Sequence, residues 1–268
     1  MKTILKTTAK TLGLIPVIDF IRSRVKGIKQ AKCNRAFLKA HPQFIPPPLE
    51  LAFDAYGHVD WNYYYVSGQK DAIIFGNLIT EYAPSRTLNI LDWGCGPARL
   101  LIHLPKILHS HKLNIYGTDY NPRTIKWCKE HLKNIHFAQN LLSPPLEFQS
   151  NKFEVIYSLS VLTHLSKQSH FDWINELNRL LKPSGILILT THGDYFRNIL
   201  SEDEKRIYDT GNLVVRDQIN EGRRGYVTFH PPQFLRSELF KGFNILKHID
   251  NGQAGSIKQD IWVIQKRI

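Results

Sequence analysis

Two stretches put chemically useful residues at the ends of apolar runs. In Asn89-Ile-Leu-Asp-Trp-Gly-Cys-Gly-Pro97 an acid, Asp92, precedes the turn Gly94-Cys95-Gly96. Gly94 and Gly96 carry no Cβ, so the chain can turn sharply and a ligand can approach its backbone. A helix starting behind such a turn aims unpaired amides into the same space, and Pro97 suits its first position. In Asn114-Ile-Tyr-Gly-Thr-Asp119-Tyr120-Asn-Pro122 a second acid closes an apolar run 23 residues past Gly96. A carboxylate there can take both hydroxyls of a ribose. Asn121 and Pro122 are accounted for as the cap and first residue of a helix; Asp119 is not.

These residues need strands and helices to hold them, and the text supplies an alternation. Strands are expected at Leu88–Asp92, Leu113–Thr118, Ile135–Ala138, Phe153–Ser158 and Ile186–Thr191, with helices at Ala98–Leu108, Arg123–Leu132 and Phe171–Leu181 between them. Alternation of this kind predicts a doubly wound α/β fold, a parallel sheet with helices on both faces. The rhythm lapses after Gly193. It ends in Phe243–Ile249 and Ile257–Lys266, joined by a loop with Asn251, Gly252 and Gly255, which reads as an antiparallel hairpin and brings the sheet to seven strands.

Composition limits the rest. The chain has 268 residues, 43% hydrophobic and 22% charged, enough for one sizeable core. No apolar run is long enough to span a membrane. Cys33, Cys95 and Cys128 form no CxxC or Cys/His cluster, which predicts no metal and free, buried thiols in a reducing cytoplasm. Of the net charge of +12, +9 lies in the first 40 residues, so the body is nearly neutral. Residues 1–47 are therefore expected as a basic amphipathic arm, interrupted at Pro16 and closed by Pro46-Pro47-Pro48, and residues 48–268 as the folded domain. Such an arm suits peripheral contact with an anionic membrane at its inner face, or packing on its own domain or a partner.

Taken in order, these segments resemble the class I S-adenosylmethionine-dependent methyltransferases, of the small-molecule and glycan type found in bacteria. The resemblance extends through Phe137-Ala-Gln-Asn140-Leu141, through Phe153-Glu-Val-Ile-Tyr-Ser158 and its loop to His164, and through Lys182-Pro-Ser-Gly185 to the fifth strand and the closing hairpin. It implies a Rossmann-like fold and S-adenosylmethionine as cofactor. The glycine turn (Asp92, Gly94, Cys95, Gly96) would face the methionine part, Asp119 and Tyr120 the ribose, and Asn140, Leu141 and Ser158 the remainder. The family usually has Asp where this chain has Asn140, though an amide oxygen can still accept from the adenine amino group. A nicotinamide dehydrogenase would need glycine at position 99, which is Arg99.

Methyl transfer from a sulfonium needs alignment and, for a hydroxyl acceptor, a base near neutral pH. Three histidines fall where the fold puts ligands: His164 after the fourth strand, His192 after the fifth, and His230 in the segment 193–232 expected to cap the site. Asp194 beside His192 would raise its basicity, which makes that pair the first candidate. Ser158-Leu-Ser-Val161 replaces the Asn/Asp-Pro-Pro-aromatic motif of nucleic-acid amino-methyltransferases, and the near-neutral body offers no phosphate-tracking surface. The expectation is thus O-methylation of a small molecule or sugar. The alternative is a catalytically silent cofactor-binding or scaffold subunit that uses the arm to reach a membrane or partner. An open polar cavity lined by His164, His192 or His230 would favour the enzyme, and a cavity filled by side chains the silent subunit.

Overall fold

The structure, a computed structural model, describes residues 15–250 and 257–268. The first part of the basic arm and the hairpin loop with Asn251, Gly252 and Gly255 lie outside them. Seven strands form one sheet: β1 (Thr87–Trp93), β2 (Lys112–Asp119), β3 (His136–Gln139), β4 (Phe153–Ser158), β5 (Leu181–Thr191), β8 (Phe243–Ile249) and β9 (Asp260–Lys266). Their order is β3-β2-β1-β4-β5-β9-β8. β1 to β5 pair in parallel, and β9 runs antiparallel to both its neighbours, as the closing hairpin predicts. The chain leaves β1 toward β2 and β3 and returns to its other side at β4, so a crevice opens beyond the carboxyl ends of β1 and β4.

Period-two alternation decides which side chains reach which layer. Leu88 and Ile90 of β1 join Phe75, Ile79, Tyr157, Ile188 and Val263 on one face of the sheet. Leu91 and Trp93 join Trp173, Leu177, Leu189 and Trp262 on the other. The first of these layers rests on α3 (Trp61–Tyr82), the second on α6 (Lys167–Leu180). α6 starts four residues before its expected position because Ser166 caps it, its hydroxyl accepting from Ser169 N–H. α5 (Pro122–His131) starts as expected, with Asn121 accepting from the amides of Arg123 and Thr124.

One expected helix is mostly absent. Residues 96–103 form a chain of turns, and only Leu104–Ile107 (α4) is regular. Gly94, Gly96 and also Ala98 have positive φ, and Ala98 N–H bonds Cys95 O three residues back rather than four. A run of left-handed residues cannot propagate an α-helix, and Pro105 removes a further amide. Pro97 therefore does not open a helix.

The arm is helical beyond the point expected to break it. α1 (Ile15–Ala40) carries the described part of the arm as one helix that includes Pro16. Asn34 fastens the helix to the domain, donating to Val59 O at 2.9 Å and accepting from Trp61 N–H at 3.0 Å. Phe37 and, just beyond the helix, Phe44 pack with Trp61, Tyr64 and Ala52 of α2 (Leu49–Tyr56). Its outer side leaves Val17, Ile21, Val25 and Ile28 exposed in one stripe. Among the described residues no helix is long and apolar enough to cross a membrane. Cys95 and Cys128 are buried thiols, whereas Cys33, on the outer side of α1, is exposed.

The segment after β5 folds into a 3-10 turn (Asp194–Ile199), α7 (Glu202–Asp209) and a two-stranded hairpin of β6 (Val214–Arg216) and β7 (Val227–Phe229). A capping box at Ser201 and Glu204 starts α7, and Arg216 pairs with the same glutamate, which ties β6 to the helix.

Candidate active site

The glycine turn is fixed by the end of β2. Gly94 and Cys95 N–H both donate to Thr118 O at 2.8 Å. Gly96 N–H donates to Asp119 Oδ2 at 3.0 Å, and Asn121 N–H to Oδ1 at 2.8 Å. The next segment is tied to the same residue, with Asn140 N–H on Asp119 O at 3.1 Å. Gly94 sits at φ +81 and a Cβ there would run into Val161; at Gly96 a Cβ would come 2.9 Å from the Tyr56 hydroxyl oxygen. Backbone, carboxylate and following loop thus form one cradle beyond the strand ends.

A cavity lies on that cradle, lined by Gly94, Gly96, Asp119, Tyr120, Asn140, Leu141 and His164 of the anticipated residues. Asp92, Cys95 and Ser158 are buried and do not line it. Asp92 accepts from Tyr157 O–H at 3.0 Å, and burial, only partly offset by that bond, pushes its carboxyl up to about 8. Burial raises Asp119 to about 6 against the two amides that hold its charged form. The lining also includes Arg224, from the segment expected to cap the site, and Asp54, Tyr56 and Trp93, which the sequence reading does not single out. Asp54 accepts from Asn121 Nδ2 at 3.3 Å, and Arg224 lies 4.8 Å over the Phe53 ring. Gly57, left-handed at φ +73 after α2, and Asp60, the cap of α3, mark the turn here.

The donor set fits an adenosyl cofactor. Asn140 Nδ2 donates to Leu141 O at 2.6 Å, which leaves Oδ1 as a buried acceptor without a partner among the described residues. An adenine amino group is the donor such an oxygen lacks. Ser158 Oγ is likewise buried and unpartnered. Leu142 O accepts from Trp173 Nε1, and Gly222 packs under Leu142 while its amide donates to His164 O. His164 lines the cavity together with Val161, to whose carbonyl its amide donates at 2.9 Å and whose side chain faces Gly94.

The three histidines are not brought together around one acceptor position. His164 Nδ1 lies 2.7 Å from Tyr226 O, to which it must donate. His192 Nδ1 donates to Thr228 O at 3.1 Å and Nε2 accepts from Gln259 at 3.2 Å, while burial lowers its pKa to about 4. Asp194 accepts from Tyr208 O–H at 2.9 Å, so its bond runs to α7 rather than to His192. His170 Nδ1 donates to Ser166 O, and its Nε2 meets His230 Nε2 at 2.9 Å in a buried pair.

A second and larger cavity, about 640 Å³, adjoins the first through Tyr56, Leu159 and Ser160. It is open and polar, as an acceptor site would be. The histidine on its wall is His58, and His192 stands behind Gln259 at its edge.

Residues 90–185 match the family model of a methyltransferase domain. The chain is similar to the tRNA U34 carboxymethyltransferase of Saccharophagus degradans, 25% identical over 148 residues that make up 53% of this chain and 40% of that protein. It is similar also to the methyltransferase YodH of Bacillus subtilis, 31% identical over 114 residues, 41% of this chain and 46% of that one. The chain spans less than half the length of these curated relatives. In fold it resembles the 1,6-didemethyltoxoflavin-N1-methyltransferase of Burkholderia thailandensis, solved with that substrate and S-adenosylhomocysteine, at a TM-score of 0.51 and 15% identity over 84% of this chain and 92% of that one.

Proposed function

With a class I methyltransferase domain as the premise, we propose that the chain binds S-adenosylmethionine and transfers its methyl group to a hydroxyl of a small molecule or sugar. The observation that carries this reading is the cradle in which Gly94–Gly96 and Asp119 are tied by backbone bonds. Asp119 holds the ribose hydroxyls, the turn admits the methionine part, and Asn140 Oδ1 receives the adenine amino group. The larger open cavity, walled by His58 rather than by His164, His192 or His230, supports an enzyme rather than a silent subunit. The names of two relatives specify tRNA, that of the Saccharophagus degradans protein and that of a tRNA N(3)-cytidine methyltransferase of Mus musculus, 24% identical over 74% of this chain. The loop Ser158–Val161 and a body charge of +3 favour a small acceptor here.

Replacing Asp119 with Ala removes charged hydrogen bonds and should weaken S-adenosylhomocysteine binding by roughly 1.5–3 kcal/mol, about 10- to 100-fold. Calorimetry on folded variant and parent measures it, and unchanged affinity refutes the ribose assignment.

The stripe Val17, Ile21, Val25 and Ile28 supports a second reading, peripheral contact with an anionic bilayer. Exposed Arg22, Lys29, Lys32 and Arg35 on the same helix supply the charge. The full chain should sediment with phosphatidylglycerol vesicles, and Val25→Ser with Ile28→Ser should reduce the bound fraction several-fold. No sedimentation of the parent chain removes this reading and leaves the first intact.

A further inference from the structure

The larger cavity is walled by groups that cofactor binding leaves unused. Tyr56, Leu159 and Ser160 line both chambers, so they form the partition between them. The Tyr56 hydroxyl stands over Gly96, which places the opening at the glycine turn. Onto this chamber α3 and the turn before it present His58, Tyr63 and Lys70, and the segment after β5 presents Phe196.

The charges around it are unevenly matched. Arg99 is paired with Asp71 at 2.6 Å and donates to Ser67 Oγ at 2.8 Å, so its fork is occupied. Asp60 accepts from Tyr63 N–H as the cap of α3. Lys70 is exposed at the rim, with no ion pair among the described residues. His58 Nδ1 is buried without a partner, and its ring stands edge-on to Tyr63 at 4.3 Å. Burial and the cations Arg99, Lys26 and Arg224, opposed by Asp60, lower its pKa, so the imidazole is neutral near pH 7.

We propose that this chamber holds the methyl acceptor, a hydroxyl compound bearing a carboxylate or phosphate group, with Lys70 pairing with the anion and His58 taking the hydroxyl proton. This rests on the methyl-transfer reading. Tyr63 and Phe196 offer faces to the ring or sugar body of such a molecule. The bound sulfonium supplies the methyl group: the O–CH3 bond forms as the C–S bond breaks, its electron pair staying on sulfur, which leaves neutral. The acceptor proton passes to the His58 imidazole and from there to solvent through the open chamber. His164 lines the cofactor chamber rather than this one, and His192 and His230 are each engaged by protein partners, so none of the three takes the proton in that transfer.

The test titrates two matched pairs into the full chain saturated with S-adenosylhomocysteine: 4-hydroxybenzoate against its methyl ester, and glucose 6-phosphate against glucose. At least one anion should bind about tenfold more tightly than its neutral partner, and which pair responds separates carboxylate from phosphate. Lys70→Glu should abolish that preference and Lys70→Arg should keep it. The His58 ring signal in NMR, assigned through His58→Gln, should titrate at higher pH with the anion bound than without it. Absence of anion preference in both pairs, a preference indifferent to Lys70→Glu, or an unmoved His58 titration overturns the proposal. Each of these is read with S-adenosylhomocysteine bound; failure of that ligand to bind would instead overturn the underlying reading.

Discussion

The cradle at the glycine turn and the larger chamber beside it are assembled by different means. In the cradle, Gly94, Gly96, Asp119 and Asn140 lie on consecutive strand ends and are joined by backbone amides. The parallel register of β1 on β2 sets Asp92 beside Gly117 and brings the turn to Thr118. On the other side, His58, Lys70, Arg99, Phe196 and Gln259 come from five separate segments and meet only through packing. The electrostatics differ in the same way. Burial raises the acids of the cradle toward their neutral form and lowers the histidines beneath the cap toward theirs. Local backbone geometry can make a binding site from a short stretch of text, whereas a specificity site depends on everything folded around it.

That contrast predicts opposite responses to acid. His170 and His192 are lowered to about 4, and burial lowers His230 as well, each from an unfolded value near 6.5. Between those values the unfolded chain binds more protons than the folded one. The stability these rings confer is therefore full above pH 6.5 and is lost as pH falls toward 4. At pH 5 the cost is roughly 2 kcal/mol for each of the two rings near 4. Asp92 and Asp119, raised to about 8 and 6, act the other way, since their contribution is present at low pH and lost as pH rises through those values. Hydrogen exchange, corrected for its intrinsic pH dependence, should show protection at His230 N–H falling between pH 7.5 and 5 while Gly96 N–H holds or gains. Parallel loss at both amides would break the comparison.

The same division explains how much could be read from the sequence. β4 and β8 run as expected, and β2 and α5 fall within a residue or two of their expected ends, because burial pattern and caps such as Asn121 act locally. The helix at Ala98–Leu108 failed because the left-handed turn continues through Ala98, a residue whose type gives no warning of positive φ. In the site, Gly94, Gly96 and Asp119 were legible because glycine spacing and an acid at a strand end are local signals. His192 and Asp194 look like a pair when only their separation in sequence is seen. Thr228, Gln259 and Tyr208, all distant in the chain, claim their polar atoms instead. Tyr56 and His58 carried no signal, since their position depends on how α2 packs against residues 96–99.

The smallest expected effect tests how far the cradle is a local device. Asn140→Asp gives the free oxygen a negative charge, and a charge-assisted bond to an amino donor is about twice as strong as a neutral one. It also removes the Nδ2 donor from Leu141 O and sets two acceptors against each other there. The first change should tighten S-adenosylhomocysteine binding by about threefold, close to the 0.5–1 kcal/mol a single added hydrogen-bond increment provides. The second should cost about 1 kcal/mol of stability and lower the unfolding midpoint by roughly 2–4 °C without ligand. Calorimetry and thermal unfolding on the same preparation separate the two. Stability lost with affinity unchanged would show that Asn140 serves only its own loop, and the cradle would then end at Asp119. Tighter binding would extend it by a full strand, to a residue whose one unpartnered oxygen is otherwise a buried acceptor without a donor.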